Sequence, residues 1–348
     1  MYPFYLGIDL HNTKTYMVLI DKAGVVIDER QIRNDDTSKY LEEVVPRETY
    51  AVLEATRNWP FMYDLLSAHV ERVELGHPKE LKAISSAAVK TDRIDARVLA
   101  QLARMNYLPI AYAAPPETRD LRLYVRHREI LVQERSQSKN RIHAVLAGYN
   151  LRAPVTDLFG KAGREWLQDM LTGDQLRLAA KRVIVDHLAI IEHLDKHIEA
   201  LEKDLKNTPE HKEAVKLLKT IPGVGQIIAT TMIAEIGDIQ RFHSPKALCN
   251  WTGLTPRIRS SAGITRHGRI SKEGSPFLRG AMTRAAAVAS RRSKRWYGVH
   301  EKLVKRCGKK GAKVAVARRL LTIAYHMLKR KQPYQENYGR QVPDVRGA

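Results

Sequence analysis

Short apolar runs separated by turn signals dominate the first eighty residues. Phe4 to Leu10 and Thr15 to Asp21 are rich in β-branched and aromatic residues. Ala23-Gly24 then turns into Val25 to Ile32, where Val26 and Ile32 bracket alternating polar positions. This pattern predicts three antiparallel strands. Thr37 to Val45 predicts a helix, Tyr50 to Glu54 a fourth strand, and Trp59 to His69 a second helix. Arg72 to Gly76 predicts a fifth strand, stopped by Pro78. Strands followed by strand–helix alternation predict an α/β mixed sheet with helices packed on it.

From Glu117 to Asn150 the pattern turns helical, and Arg122, Arg126, Arg128, Arg135, Lys139 and Arg141 give that helix a basic face. Asp157 to Leu171 is less regular. A second long helix is predicted from Gln175 to Leu205, with Leu188, Ile191, Leu194, Ile198, Leu201 and Leu205 at three- and four-residue steps. That narrow seam predicts a coiled coil, read as a dimerisation arm. His187, His193 and His197 beside it read as solvated or packed side chains rather than a metal cluster. Asn207 to Glu210 marks a linker. Leu217 to Gly225, then a helical run through Ile236, has the layout of a helix–hairpin–helix. Gly223 and Gly225 there would let backbone N–H groups approach a phosphate. Pro and Gly punctuation between Gly253 and Leu278 predicts an exposed loop before a helix. Ala281 to Ala289 and Lys313 to Leu328 read as helical. The expected division is an α/β domain over 1–112, a helical arm over 113–208, a mostly α-helical domain over 209–332, and a disordered tail over 333–348.

Charge narrows the function. The chain has 348 residues, enough for two or three domains, and a formal charge of +21. Between Trp251 and Ala348 there are 24 Lys+Arg against 4 Asp+Glu. So one-sided a basic region points to a nucleic-acid partner. The only cysteines, Cys249 and Cys307, make neither a disulfide framework nor a metal motif. No secretory signal is evident, and no apolar run approaches the roughly 20 residues that span a bilayer. A cytoplasmic location is expected.

The candidate chemistry centres on Lys90-Thr91-Asp92-Arg93-Ile94-Asp95-Ala96-Arg97. Asp92 and Asp95 share one helical face, because positions three apart are surface neighbours, and Thr91 stands where a cap belongs. Asp9 ends the first strand and Glu54 the fourth, and active sites of open α/β sheets gather at strand carboxyl ends. Four acids can thus converge. Asp9 lies in an apolar strand, where an unpaired charge is costly unless a metal or partner holds it. Mg²⁺ takes oxygen ligands, and two ions about 4 Å apart can stabilise both the attacking and leaving oxygens of a phosphodiester. Lys90 and Arg93 are candidates for holding phosphate or for moderating carboxylate repulsion. In the C-terminal half, Ser260 and Ser261 lie among Arg257, Arg259, Arg266, Arg269, Lys272 and Arg279. A serine hydroxyl there can attack a phosphodiester while the arginines stabilise developing charge.

These residues resemble the insertion sequence 110 transposases, which include the Piv DNA invertase. The likeness rests on Gly-Ile-Asp at Asp9, Leu-Glu-Ala-Thr at Glu54, and Lys-Thr-Asp-x-x-Asp-Ala at Asp92 and Asp95. Ile221-Pro222-Gly223-Val224-Gly225, Gly253-Leu254-Thr255-Pro256 and Gly268-Arg269-Ile270-Ser271-Lys272-x-Gly274 match as well. The resemblance implies a RuvC-like N-terminal domain in which the four acids bind Mg²⁺, with Mn²⁺ as a substitute. It implies a nucleophilic serine that forms a phosphoserine link to DNA. It also implies a bridge RNA that pairs with donor and target DNA, and homodimers that assemble into a tetramer. The family serine lies five residues after the Pro of Gly-Leu-x-Pro, which is Ser261 here. The family has Gly directly after it, whereas this chain has Ala262, so Ser260 is the alternative. Two rivals remain: a junction-resolving or exonucleolytic nuclease using the same acids with water, and a non-catalytic DNA- or RNA-binding scaffold.

Overall fold

Side-chain alternation along two strands decides how the N-terminal layers stack. In β1 (Phe4–Leu10) Leu6, Ile8 and Leu10 face one side of the sheet, and Tyr5, Gly7 and Asp9 the other. The computed structural model describes residues 1–84, 91–207, 211–261 and 264–336, excluding the side chains of 259–267. β2 (Lys14–Asp21) and β3 (Val26–Arg33) follow as antiparallel neighbours, then α1 (Thr37–Val44), β4 (Thr49–Glu54), α2 (Trp59–His69) and β5 (Arg72–Gly76). α3 (Pro78–Ile84), α4 (Asp92–Arg104) and the two-residue β6 (Ile110–Ala111) complete this part. The sheet order is β3-β2-β1-β4-β5-β6; β4 runs parallel to β1 and to β5, and β6 is antiparallel. The mixed α/β sheet expected from the pattern is therefore present. The sequence pattern missed α3, which stands between the fifth strand and the acid-bearing helix, and the short β6.

Two apolar layers sandwich the sheet. Leu6, Ile8, Met17 and Leu53 pack with Leu41 of α1 and with Met62 and Leu66 of α2. On the opposite face Tyr5, Val18, Ile20 and Val52 pack with Ala96, Leu99, Ala100 and Ala103 of α4. Small residues on α4 let it lie close to the strands. The chain separates into two compact units, Met1–Ala114 and Pro115–Ala348.

The second unit is mostly helical. α5 (Pro116–Gly148), α6 (Lys161–Thr172) and α7 (Leu178–Asn207) come first, with α5 and α7 packed along each other. Ion pairs set their direction: Arg128 Nε donates to Glu202 Oε1 at 3.0 Å, and Arg135 pairs with Asp195, so the two helices run antiparallel. Ile191, Leu194, Ile198 and Leu205 of the predicted seam are buried, and α5 is their neighbour within the chain. α8 (Lys212–Leu218), α9 (Gln226–Ile236) and α10 (Pro245–Trp251) follow. Next come the antiparallel pair β7 (Pro256–Ser261) and β8 (Ile264–Ile270), then α11 (Pro276–Arg292) and α12 (Lys294–Arg330). α12 kinks at Cys307 and Gly308, where the backbone leaves helical geometry. The segment expected as an exposed loop is thus a β-hairpin. Residues 337–348 of the expected disordered tail lie outside the described residues.

Candidate metal centre

Glu54 ends β4 one residue beyond the last registered pair with β1, Ile8 opposite Leu53. By alternation Tyr50, Val52 and Glu54 face the same side as Tyr5, Gly7 and Asp9, the side that α4 covers. α4 begins at Asp92. Thr91 has extended backbone angles, and its Oγ1 accepts from Ile94 N at 3.3 Å, so it is the expected N-cap. Asp92 and Asp95 occupy the first turn, where the exposed N–H groups and helix dipole favour negative charge.

Asp9 reports this convergence. Burial pushes its carboxyl above the usual carboxylate range, His11 opposes that rise, and Asp92, Asp95 and Glu54 each add to it. All four predicted acids are therefore close enough to interact electrostatically. His11, absent from the sequence-based site, is part of the cluster. Its Nε2 lies 3.2 Å from Asp9 Oδ2 and 3.3 Å from Asp92 Oδ2. His11, Asp9 and Asp92 each present one donor atom within 4.8 Å of the others. A cluster dominated by hard carboxylate oxygens, with a like-charge penalty at its centre, suits a divalent cation. The signal for His11 was its place two residues after Asp9. Its meaning depends on the β1–β2 turn folding the ring back over the strand end.

The arginines of the Lys90 to Arg97 motif have other partners. Arg93 Nε donates to Glu29 Oε2 at 3.1 Å, and Arg97 Nη2 reaches the same oxygen at 3.0 Å. Both guanidinium groups thus tie α4 to β3. Lys90 lies outside the described residues.

In the second unit, the two glycines of the Pro-Gly-x-Gly turn differ. Gly223 has φ +86°, and a β-carbon on it would lie 2.3 Å from Ala285 O, so it is a close-packing site against α11. Gly225 faces open space and is the N-cap of α9. The base of the hairpin is a clamp between two motifs. Ser271 N donates to Thr255 O at 2.9 Å, and Lys272 N donates to Gly253 O at 3.2 Å. Arg279 Nη1 donates to the carbonyls of Thr252, Glu273 and Gly274 at 3.2, 2.7 and 2.9 Å, and burial lowers its pKa. Arg257 Nη2 donates to Ser271 O at 3.2 Å; Arg269 and Lys272 are exposed. The backbone pairs Ser260 with Thr265 and Ser261 with Ile264 at the hairpin's far end. The side chains of Ser260, Ser261, Arg259 and Arg266 lie outside the described residues.

The basic face expected on α5 is largely engaged within the unit. Arg126 Nε and Nη2 grip Glu235 at 2.7 and 2.8 Å, and Arg122 Nε donates to Ala234 O at 2.6 Å. Arg128 and Arg135 face α7, as described above. Among the described residues no helix is long and apolar enough to cross a membrane.

Comparison with known proteins agrees with this layout. Residues 6–151 match the DEDD transposase domain of IS110 elements, and residues 215–301 match the transposase IS116/IS110/IS902 family. The transposase for insertion sequence element IS1111A of Coxiella burnetii is 26% identical over 340 residues, covering 95% of this chain and 91% of the relative. The transposase for insertion sequence element IS1328 of Yersinia enterocolitica is 26% identical over 290 residues, covering 82% and 84%. The pilin gene-inverting protein of Moraxella bovis is 33% identical over 135 residues, covering 37% and 41%. Fold, acid cluster and matches define an enzyme of the DNA transposase and recombinase class. The chain belongs to the IS110 family of transposases. A DEDD transposase domain implies dependence on a divalent metal.

Proposed function

We propose that this transposase cuts and rejoins DNA by transesterification at Ser261, with a RuvC-like N-terminal domain holding the metal. The Ser261 hydroxyl attacks a phosphodiester, an Oγ–phosphorus bond forms, and one DNA end leaves as a hydroxyl. A second DNA hydroxyl then attacks the phosphoserine, which closes a new DNA joint and returns the serine. The number of phosphodiester bonds is conserved. Asp9, Glu54, Asp92 and Asp95 would hold Mg²⁺, or Mn²⁺ in its place. Such an ion polarises phosphoryl oxygens and offsets charge on the attacked phosphate. Gly225 at the start of α9, with Arg257, Arg259, Arg266, Arg269 and Lys272, would bind the DNA backbone. A bridge RNA as guide and a homodimer that pairs into a tetramer belong to the same reading, through the family motifs.

The observation that carries this reading is the half-buried Asp9 carboxyl under the combined charge of Glu54, Asp92 and Asp95. Structural surface acids would not need to share one strand end. Trapping on DNA tests it. A covalent protein–DNA adduct is expected in the wild type with Mg²⁺, and none in Ser261→Ala. An undiminished adduct in that variant transfers the role to Ser260. Cleavage with no adduct in the wild type assigns the attack to water and makes the chain a nuclease. Sequencing the RNA that copurifies tests the guide.

A further inference from the structure

We propose that His11 is a nitrogen donor of the cation site and tilts it from Mg²⁺ towards first-row transition ions such as Mn²⁺; this rests on the metal-binding reading above. In an octahedral ion with bonds of about 2.1 Å, adjacent donors stand about 3.0 Å apart. The 3.2 and 3.3 Å separations from His11 Nε2 to Asp9 and Asp92 are close to that spacing before any ion draws them in. The imidazole of Gly-Ile-Asp-Leu-His thus adds a nitrogen donor to a cluster otherwise made of carboxylates.

The turn that carries the ring is held from three sides. Asn58 Nδ2 donates to His11 O at 2.8 Å, and Asn34 Nδ2 donates to His11 O at 3.0 Å and to Asn12 O at 3.1 Å. Asn34 is fixed in turn by Thr15 Oγ1 at 2.6 Å, and His11 N closes the turn on Lys14 O at 3.1 Å. Asn34 follows β3, and Asn58 precedes α2, so two separate elements converge on one two-strand turn. These bonds fix the main chain from which the ring projects over Asp9 and Asp92. The ring is half exposed, which leaves an entry path for an ion.

Mg²⁺ favours oxygen donors, whereas imidazole suits transition ions, so loss of the ring should change selectivity more than occupancy. The experiment is electron paramagnetic resonance of Mn²⁺ on the full-length chain, with Mg²⁺ as competitor. Wild type should show imidazole ¹⁴N modulation in the Mn²⁺ echo, and His11→Ala and His11→Gln should lose it. Mn²⁺ affinity should fall about tenfold in His11→Ala, while Mg²⁺ affinity changes by less than about threefold. Asn58→Ala, which leaves the ring but frees its turn, should weaken Mn²⁺ by a smaller factor. A wild-type Mn²⁺ complex without ¹⁴N modulation overturns the proposal. So does an equal loss of both ions in His11→Ala. If the wild type binds no Mn²⁺ and Asp9→Asn behaves identically, the metal centre itself fails, which is a different result from a bound ion lacking nitrogen.

Discussion

Gly7 of β1 lies so near the main chain of α4 that a β-carbon on it would sit 1.9 Å from Ala96 O. The amide nitrogen of Ala100 would be 2.6 Å from the same carbon. Backbone cannot give way as a flexible side chain can. Close approach at this point is what brings the first turn of α4, with Asp92 and Asp95, over the strand end that carries Asp9. Gly7→Ala should therefore destabilise the N-terminal unit by about 1–3 kcal/mol, the usual range for overpacking. It should also abolish divalent-ion binding in the fraction that remains folded. Urea denaturation and Mn²⁺ titration check the two parts. Unchanged ion affinity in a destabilised variant would show that the close approach does not position the acids.

Thr91 tests the same positioning from the other side. Its hydroxyl caps the turn that presents both acids, and removing a Ser/Thr cap costs about 1 kcal/mol. Thr91→Ala should lower stability by that amount while weakening Mn²⁺ binding several-fold, because fraying starts at Asp92 and Asp95, the proposed ligands. Thr91→Ser should restore both. A cap variant with lost stability and intact binding would place the acids' order in the α4–β1 packing alone.

Asp9 connects function with pH. Its carboxyl has a pKa raised by burial and by three neighbouring acids, against the pull of His11. A raised acid favours the protonated form in the folded state. Its destabilising charge is absent below the ordinary carboxylate pKa and enters as pH rises through the raised folded value. Metal-free Asp9→Asn should then melt a few degrees higher than the wild type at pH 7, with the gap closing in acid. Saturating divalent ion should stabilise the wild type and leave Asp9→Asn unmoved. Calorimetry across pH, with and without metal, measures both. A variant less stable than the metal-free wild type at pH 7 would contradict the burial penalty.

The first five strands, the antiparallel run of the first three and the shared helical face of Asp92 and Asp95 were legible because each depends on local pattern: alternation, turn chemistry and a three-residue spacing. What was hidden depends on partners distant in sequence. His11 gains its meaning only once the β1–β2 turn is pinned by Asn34 and Asn58. The hairpin from Pro256 to Ile270 was obscured by Pro and Gly signals and by its many polar positions, with only three isoleucines, Ile258, Ile264 and Ile270, among them. Gly223 read as a phosphate-approach glycine, and its tight neighbour is α11. The arginines of α5 read as a free basic stripe because their acids lie 60 to 109 residues further along the chain. Charge counted along a sequence cannot distinguish a ligand-facing cation from one held in an internal pair.

Arg126 and Glu235 turn that last distinction into a measurement. Glu235 is 1% exposed on α9, and both its oxygens accept from the Arg126 fork. Arg126 is itself partly exposed and also lies over the Phe277 ring, 5.4 Å from its centroid. Removing the arginine strands a buried carboxylate, for which losses of about 3–5 kcal/mol are typical. The open side of the pair admits some water, so Arg126→Ala should fall near the lower end. Arg126→Lys should recover only part of the loss, because an ammonium cannot make the two parallel bonds. The double variant Arg126→Met with Glu235→Leu should regain most of the stability, since no charge is then left unpaired. Urea unfolding of the wild type, Arg126→Met, Glu235→Leu and the double variant gives the coupling energy of the pair. If Arg126→Ala costs under about 1 kcal/mol, comparable to an exposed surface pair, Arg126 is free to serve nucleic acid and the internal assignment is wrong.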